Sequence, residues 1–131
     1  RIEKGFRLWG EDLHTEHDPY EAGLGFAVDL DTDFIGKDAV AAAANGDNIR
    51  HEVAVLTLDD PEAAILDDRP VLDPETDEAI GYVHSAEYGY SVGACVAYTY
   101  LPPEFAEPGT DVAVLYEGEK YAATVQEEPL I

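Results

Sequence analysis

The four histidines and the single cysteine are the residues whose types could bind a metal ion. His14 and His17 lie three residues apart, but the residues between and after them favour a loop rather than a helix that presents two ligands. His51 and His84 stand far away in the sequence, and Cys95 has no second thiolate beside it. A zinc site needs three or four ligands at defined spacings. The sequence alone therefore predicts no metal site.

Two other kinds of site are not favoured. Ser85 lacks the Gly-x-Ser-x-Gly sequence that exposes a nucleophile in α/β-hydrolases. Residues 89–93 around Ser91 have its letters, but they lie between two expected strands rather than at the strand-to-helix turn that exposes such a serine. The glycines at 23 and 25 lack the third glycine and the preceding strand of a dinucleotide-binding loop. No catalytic residue is predicted in this chain.

The cations are more informative because they are scarce. Three of the seven lie within the first seven positions, at Arg1, Lys4 and Arg7. An arginine can bind a carboxylate or a planar heterocycle through paired hydrogen bonds. The alternative is that these cations pair with the acidic surface, and the residues themselves leave both open.

The net charge restricts the partners. The chain has 29 acidic and 7 basic residues, a formal charge of −22 and a pI near 4.1. Because phosphate binding requires Lys and Arg to replace counterions, nucleic acid and membranes are not expected as partners. The acids are dispersed over the whole chain, which suggests a halophile's protein. An acidic protein from an ordinary organism is the alternative.

The first third of the chain favours an arm that combines helix and extended segments. Short apolar runs at residues 6–9 and 22–30 flank a polar loop at 11–18, and an alanine-rich helix is expected at 34–44 before Asn45 and Gly46. The apolar run at 24–30 must be shielded from water, so we expect this arm to pack on the barrel that the remaining residues form, or to exchange between copies of the chain.

The remaining residues favour strands. Val53, Val55 and Thr57 alternate with Ala54, Leu56 and Leu58, and further strands are expected at 80–83, 95–101, 112–116 and 121–125. The prolines at 102 and 103 exclude a central strand there and predict a crossing loop. We therefore predict a mainly β fold: a small antiparallel barrel of about six strands (residues 48–131), preceded by an α/β arm (residues 1–47).

Several segments together resemble one family. RIEKGFRLWG at residues 1–10, DPYEAGLGF at 18–26 and DFIGK at 33–37 are similar to successive segments of the glycine cleavage T-protein (aminomethyltransferase) superfamily. GYVHS at 81–85, YGYSVG at 88–93 and the proline-rich segment at 101–110 resemble its C-terminal barrel. Within the superfamily, the first segment and YGYSVG look more like the folate-binding part of dimethylglycine and sarcosine dehydrogenases than like the free T protein.

The resemblance implies a function and a cofactor. Residues 1–47 would end the folate-binding core, and the whole would transfer a one-carbon unit from a small amine such as glycine, dimethylglycine or sarcosine to tetrahydrofolate. By resemblance Arg1 would help hold the folate, and Phe26 would line its pocket. The catalytic aspartate and the pterin-binding glutamate of the family have no counterpart here, so the chain would be inactive alone.

Other implications concern the parent protein. If the parent is an oxidoreductase of the dehydrogenase type, an upstream domain would carry FAD. If the parent is a simple transferase, it would contain no FAD. A barrel that supports the active site or a partner without touching ligand is the alternative function. A third is a family member with a role in RNA modification or iron–sulfur assembly.

The compartment and the completeness of the chain are also expectations. One cysteine and the lack of any secretory or membrane segment in the sequence favour a cytoplasmic protein. The first residue is Arg rather than Met, which suggests a fragment of a longer protein.

The charge generates a salt prediction. Because a Debye length of about 3 Å at molar salt screens repulsion among surface carboxylates, the melting temperature of this chain should be higher in molar KCl than in dilute buffer. Circular dichroism melts at the two salt concentrations measure this. Equal melting temperatures would contradict the halophilic interpretation.

Overall fold

A closed antiparallel β-barrel forms most of the fold. The computed structural model describes residues 1–46 and 49–131. The strands are β1 (Glu52–Leu58), β2 (Pro70–Leu72), β3 (Ala79–Gly89), β4 (Ala94–Leu101), β5 (Asp111–Tyr116) and β6 (Glu119–Gln126). Their order around the barrel is β1-β4-β3-β2-β5-β6, with β6 pairing back onto β1. The predicted mainly β fold and its six-stranded barrel are confirmed.

Alternating apolar side chains fill the barrel. Leu56 on β1 is opposite Ala97 on β4 and Val125 on β6, and all three are fully buried. The other barrel strands contribute aliphatic residues at the same spacing, among them Val71, Val83, Leu101, Val112 and Val114. Burying an aliphatic side chain contributes about 1.5–3 kcal/mol relative to leaving it exposed. This core is the main stabilising feature of residues 49–131.

Two connections follow the chemistry of their residues. The β5–β6 hairpin turns through Glu117 and Gly118, whose φ angles of 52° and 79° are those of a two-residue turn that matches the strand twist. Residues 102–110 join β4 to β5, which are not neighbours in the barrel, so the predicted crossing loop is confirmed.

Strand β2 is a finding that the sequence analysis missed. Pro70 begins this strand and is opposite Tyr82 of β3. The strand has only three residues, too few to show period two. Strand β3 also continues well past Val83, to Gly89.

The arm consists of short helical turns. Two 3-10 turns, Ile2–Lys4 and Gly25–Ala27, precede helix α1 (Lys37–Ala43). In residues 1–46 the β structure is limited to one bridge between Trp9 and Leu13, less than the expected α/β arm contains. Helix α1 begins later than residue 34 because Gly36 has a left-handed φ of 88°. The expected boundary between residues 47 and 48 lies outside the described residues.

Within the part of the chain that the structure describes, no helix is both long and apolar enough to cross a membrane.

Truncating the core should destabilise the barrel strongly. Leu56→Ala removes a fully buried side chain and should lower the free energy of unfolding by about 2–5 kcal/mol. Leu66→Ala, at a leucine that is 55% exposed, is the matched control and should change it by under about 1 kcal/mol. Urea denaturation in molar KCl measures both. Equal effects would show that Leu56 is not in the core.

Candidate functional site

A buried carboxylate, that of Asp12, joins the arm to the barrel. Its Oδ2 accepts hydrogen bonds from Arg1 Nη1 at 2.7 Å and from the Leu8 amide at 2.8 Å. Its Oδ1 accepts one from Ser85 Oγ on β3 at 2.5 Å, and its main-chain carbonyl accepts one from the Tyr100 hydroxyl on β4 at 2.6 Å. The side chain is wholly excluded from solvent. Such a charge is tolerated in the interior only when it is paired and hydrogen-bonded.

Local turns place this carboxylate. The Leu8 carbonyl accepts hydrogen bonds from the amides of Asp12 and Leu13, so the chain winds tightly between these residues. Gly10, with a φ of 93°, supplies the left-handed conformation that the turn needs. The winding directs Asp12 back toward Arg1 on one side and the barrel on the other.

Other contacts hold the beginning of the arm and the end of the chain on the barrel. Glu3 Oε1 accepts hydrogen bonds from the amides of Ser91 and Val92 at 2.6 and 3.1 Å. Arg7 Nη2 donates to Glu128 Oε2 at 2.7 Å, and the Arg7 side chain is 9% exposed. The arm is therefore fastened at several points to the outside of the barrel.

The two residues assigned to folate by resemblance have different surroundings. Arg1 pairs with Asp12 and also donates to the Phe6 carbonyl at 2.9 Å, while about a third of its side chain stays exposed. Phe26, in the second 3-10 turn, is 87% exposed. Arg1 and Arg7 both pair with carboxylates, as the alternative reading of the cations expects. The assignment of Arg1 and Phe26 to a folate site stays a prediction.

The fold brings histidines together that the sequence separates. One ring nitrogen each from His14, His17 and His84 lies within 4.8 Å of the others. The His17 ring stacks on Tyr100, with centroids 3.6 Å apart and planes 3° apart, and the His84 ring stacks on Tyr82 at 4.3 Å. The sequence spoke against a metal site because His84 lies far from His14 and His17 along the chain. The packing of the arm on β3 brings the three side chains together in space.

Burial sets the protonation of this cluster. Desolvation lowers the pKa of His84, partly opposed by the hydrogen bond between its Nδ1 and the Glu11 carbonyl at 2.9 Å. Desolvation also lowers the pKa of His17, partly opposed by the charge of Glu21. Both rings are therefore neutral at pH 7. Burial raises the pKa of the neighbouring Tyr100 to about 12, so its hydroxyl stays protonated as the donor to Asp12.

The residues that organise this site carry little signal in the sequence. Asp12 lies in a stretch that was described only as a polar loop, and Ser85 was considered only as a nucleophile. The hydrogen bond from Ser85 to a buried carboxylate gives it a structural role instead. The GYVHS segment was noticed for its resemblance, and it is the part of β3 that meets the arm.

Comparisons with known proteins agree with this architecture. Residues 50–131 match the family model of the glycine cleavage T-protein C-terminal barrel domain. Mitochondrial dimethylglycine dehydrogenase of Mus musculus is 34% identical over the whole chain, and a probable aminomethyltransferase of Natronomonas pharaonis is 35% identical over 98% of it. The crystal structure of glycine cleavage system aminomethyltransferase T from Bartonella henselae superposes on all of this chain with a TM-score of 0.91 at 27% identity.

The relatives are much longer than this chain. It spans 15% of the dimethylglycine dehydrogenase, 36% of the Natronomonas pharaonis protein and 37% of the Bartonella henselae chain. The superposition includes the arm as well as the barrel.

Removing the buried charge should destabilise the chain. Asp12→Asn keeps the size of the side chain but removes the charge that faces Arg1, so we expect a loss of about 3 kcal/mol in the free energy of unfolding. Asp77→Asn is the matched control, because the Asp77–Lys120 pair is about half exposed on both sides and should contribute under about 1 kcal/mol. Urea denaturation in molar KCl compares them. A loss no larger for Asp12→Asn would contradict the anchoring role.

Proposed function

The chain belongs to the glycine cleavage T-protein family, and on that premise we propose that it forms the C-terminal part of an enzyme that transfers a one-carbon unit from a small amine to tetrahydrofolate. In this proposal the barrel and the arm complete a folate site whose catalytic groups lie elsewhere in a longer protein. The chain alone does not turn over substrate.

The partly unoccupied guanidinium of Arg1 is the observation that supports this proposal. Both of its hydrogen bonds to described residues use Nη1, one to Asp12 and one to the Phe6 carbonyl. A guanidinium has five N–H donors, so Nη2 and Nε remain for a ligand. Asp12 is itself held by Ser85, so Nη1 of Arg1 is kept in place by a fixed carboxylate and by the Phe6 carbonyl. A preorganised, partly exposed arginine suits a carboxylate or the amide edge of a flat ring, both of which folate offers.

The apolar surface of the arm supports a longer enzyme around it. Phe6 is 63% exposed, Trp9 76%, Phe26 87% and Ile35 fully exposed. Large apolar side chains grouped on one segment mark a surface that packs against other protein or binds ligand. An upstream folate-binding core would cover them, and Phe26 would then face the ligand pocket. Self-association through the arm would also cover part of this surface.

The acidic surface is compatible with a folate ligand at high salt. The glutamate carboxylate of folate would be repelled by a charge of −22 in dilute buffer. Screening at molar salt removes most of that barrier, and the local cations Arg1, Lys4 and Arg7 reduce it further. Folate affinity is therefore expected to hold or rise with salt.

The second candidate is a supporting barrel that touches no ligand. The Arg1–Asp12 pair favours it, because this contact by itself accounts for the place of Arg1 in the fold. In that case Arg1 stabilises the attachment of the arm and contributes nothing to affinity. The two functions predict different results for the same substitution.

Substituting Arg1 in the full-length enzyme tests the proposal. Arg1→Gln should weaken tetrahydrofolate binding by about tenfold or more, since a charged hydrogen bond contributes about 1.5–3 kcal/mol. Lys120→Gln removes the same charge at an exposed position of β6, outside the group of Arg1, Lys4 and Arg7, and should leave the affinity within about threefold. Titration calorimetry in molar KCl measures both, and thermal melts report stability separately. A lower melting temperature with unchanged affinity would establish the supporting role.

The visible absorption spectrum of the intact protein would decide which type of parent carries this chain. A flavin spectrum fits a dehydrogenase of the dimethylglycine or sarcosine type. A colourless protein that binds tetrahydrofolate fits an aminomethyltransferase.

A further inference from the structure

We propose that His14, His17 and His84 bind a divalent transition-metal ion of the zinc class where the arm crosses strand β3. The three rings converge from two loop positions of the arm and one strand position of the barrel, within 4.8 Å nitrogen to nitrogen. Imidazole is a preferred ligand of zinc, nickel and copper ions, and three histidines suffice for an ion that keeps one open position. The site is independent of the proposed folate function.

His84 is oriented as a ligand. Its Nδ1 lies 2.9 Å from the Glu11 carbonyl, which can only accept a hydrogen bond, so Nδ1 carries the proton and Nε2 keeps a free lone pair. The side chain is almost fully buried at 4% exposure and is held by its stacking on Tyr82. A metal-bound histidine commonly donates its other ring N–H to a backbone carbonyl, which fixes the orientation of the ring.

His17 is held rigidly and has an unsatisfied nitrogen. Its ring stacks flat on Tyr100, whose hydroxyl is fixed by the Asp12 carbonyl. Its Nδ1 is buried and makes no hydrogen bond to the residues that the structure describes; the carboxylate of Glu21 lies 3.7 Å away. A buried polar atom without a partner is costly. A carboxylate beside a ligand ring raises the basicity of that ring and favours a bound cation.

His14 is the adjustable ligand. In tetrahedral zinc sites the bonds of about 2.0–2.1 Å place the ligand nitrogens about 3.4 Å apart, so the ring nitrogens must approach one another by at most about 1.4 Å. His14 is half-buried on the arm, and its only hydrogen bond to a described residue is a long one of 3.3 Å from the Glu16 amide to Nδ1. Little is lost when this ring rotates inward.

The electrostatics favour a cation. The negative charges of Asp12 and Glu16 act on His84, and Glu21 lies beside His17, so the rings converge in an acidic setting. A pocket of about 160 Å³ opens beside His14 and His17. Packing of aromatic rings would explain the stacking but not three ring nitrogens that converge in an acidic setting.

Zinc titration of the full-length protein tests the site. The protein is purified without a histidine tag and titrated in molar KCl with excess Mg²⁺, so that surface carboxylates are screened and occupied. His14→Asn should weaken zinc affinity by about 100-fold or more. His51→Asn is the matched control, since the His51 ring lies 6.4 Å from His17 but outside the cluster, and it should change affinity by under about threefold.

The readouts separate histidine ligation from adventitious binding. Cobalt added in place of zinc should give visible bands of a nitrogen-rich, four-coordinate site in the wild-type protein and in His51→Asn, and these bands should be lost in His14→Asn. Zinc should raise the melting temperature of the same two proteins only. Absence of zinc binding in the wild-type protein, or equal binding by His14→Asn, would overturn the proposal.

Discussion

Burial of the Asp12 carboxylate is the constraint on which the arrangement of arm and barrel depends. Removing a carboxylate from water costs several kcal/mol even after the surroundings relax. Here Arg1, the Leu8 amide and Ser85 offset that cost, and they come from the beginning of the arm, from the turn and from strand β3. The carboxylate is satisfied only when all three are in place. It therefore selects one docking of the arm among the many that apolar contacts alone would allow.

The same docking creates both proposed sites. It fixes Arg1 with part of its guanidinium exposed, and it places His14 and His17 beside His84. Tyr100 links the two, because its ring carries His17 and its hydroxyl binds the Asp12 carbonyl. A disturbance at Asp12 is therefore expected to reach both Arg1 and the histidine cluster.

The barrel could be predicted from the sequence because its signal is local. Alternation such as Val53 to Leu58 reports a strand without knowledge of its partners. Strand β2 was missed because three residues are too few to show an alternation of apolar and polar side chains. The start of helix α1 was predicted too early because the left-handed conformation of Gly36 depends on its surroundings. The site was less predictable. His84 and Asp12 are separated from their partners by about seventy positions of sequence, and only the packing of the arm on β3 joins them.

The closure of the barrel has a consequence for biosynthesis. Strand β1 is held between β4 and β6, and β6 is the last of the six barrel strands to be synthesised. At the usual elongation rate of about 5–20 residues per second, β1 waits several seconds with one edge unpaired. During that time the unpaired backbone N–H and C=O groups of this edge can pair with other nascent chains. The acidic residues spread along the whole sequence then have a use before folding is complete, since like charges keep neighbouring unfinished chains apart.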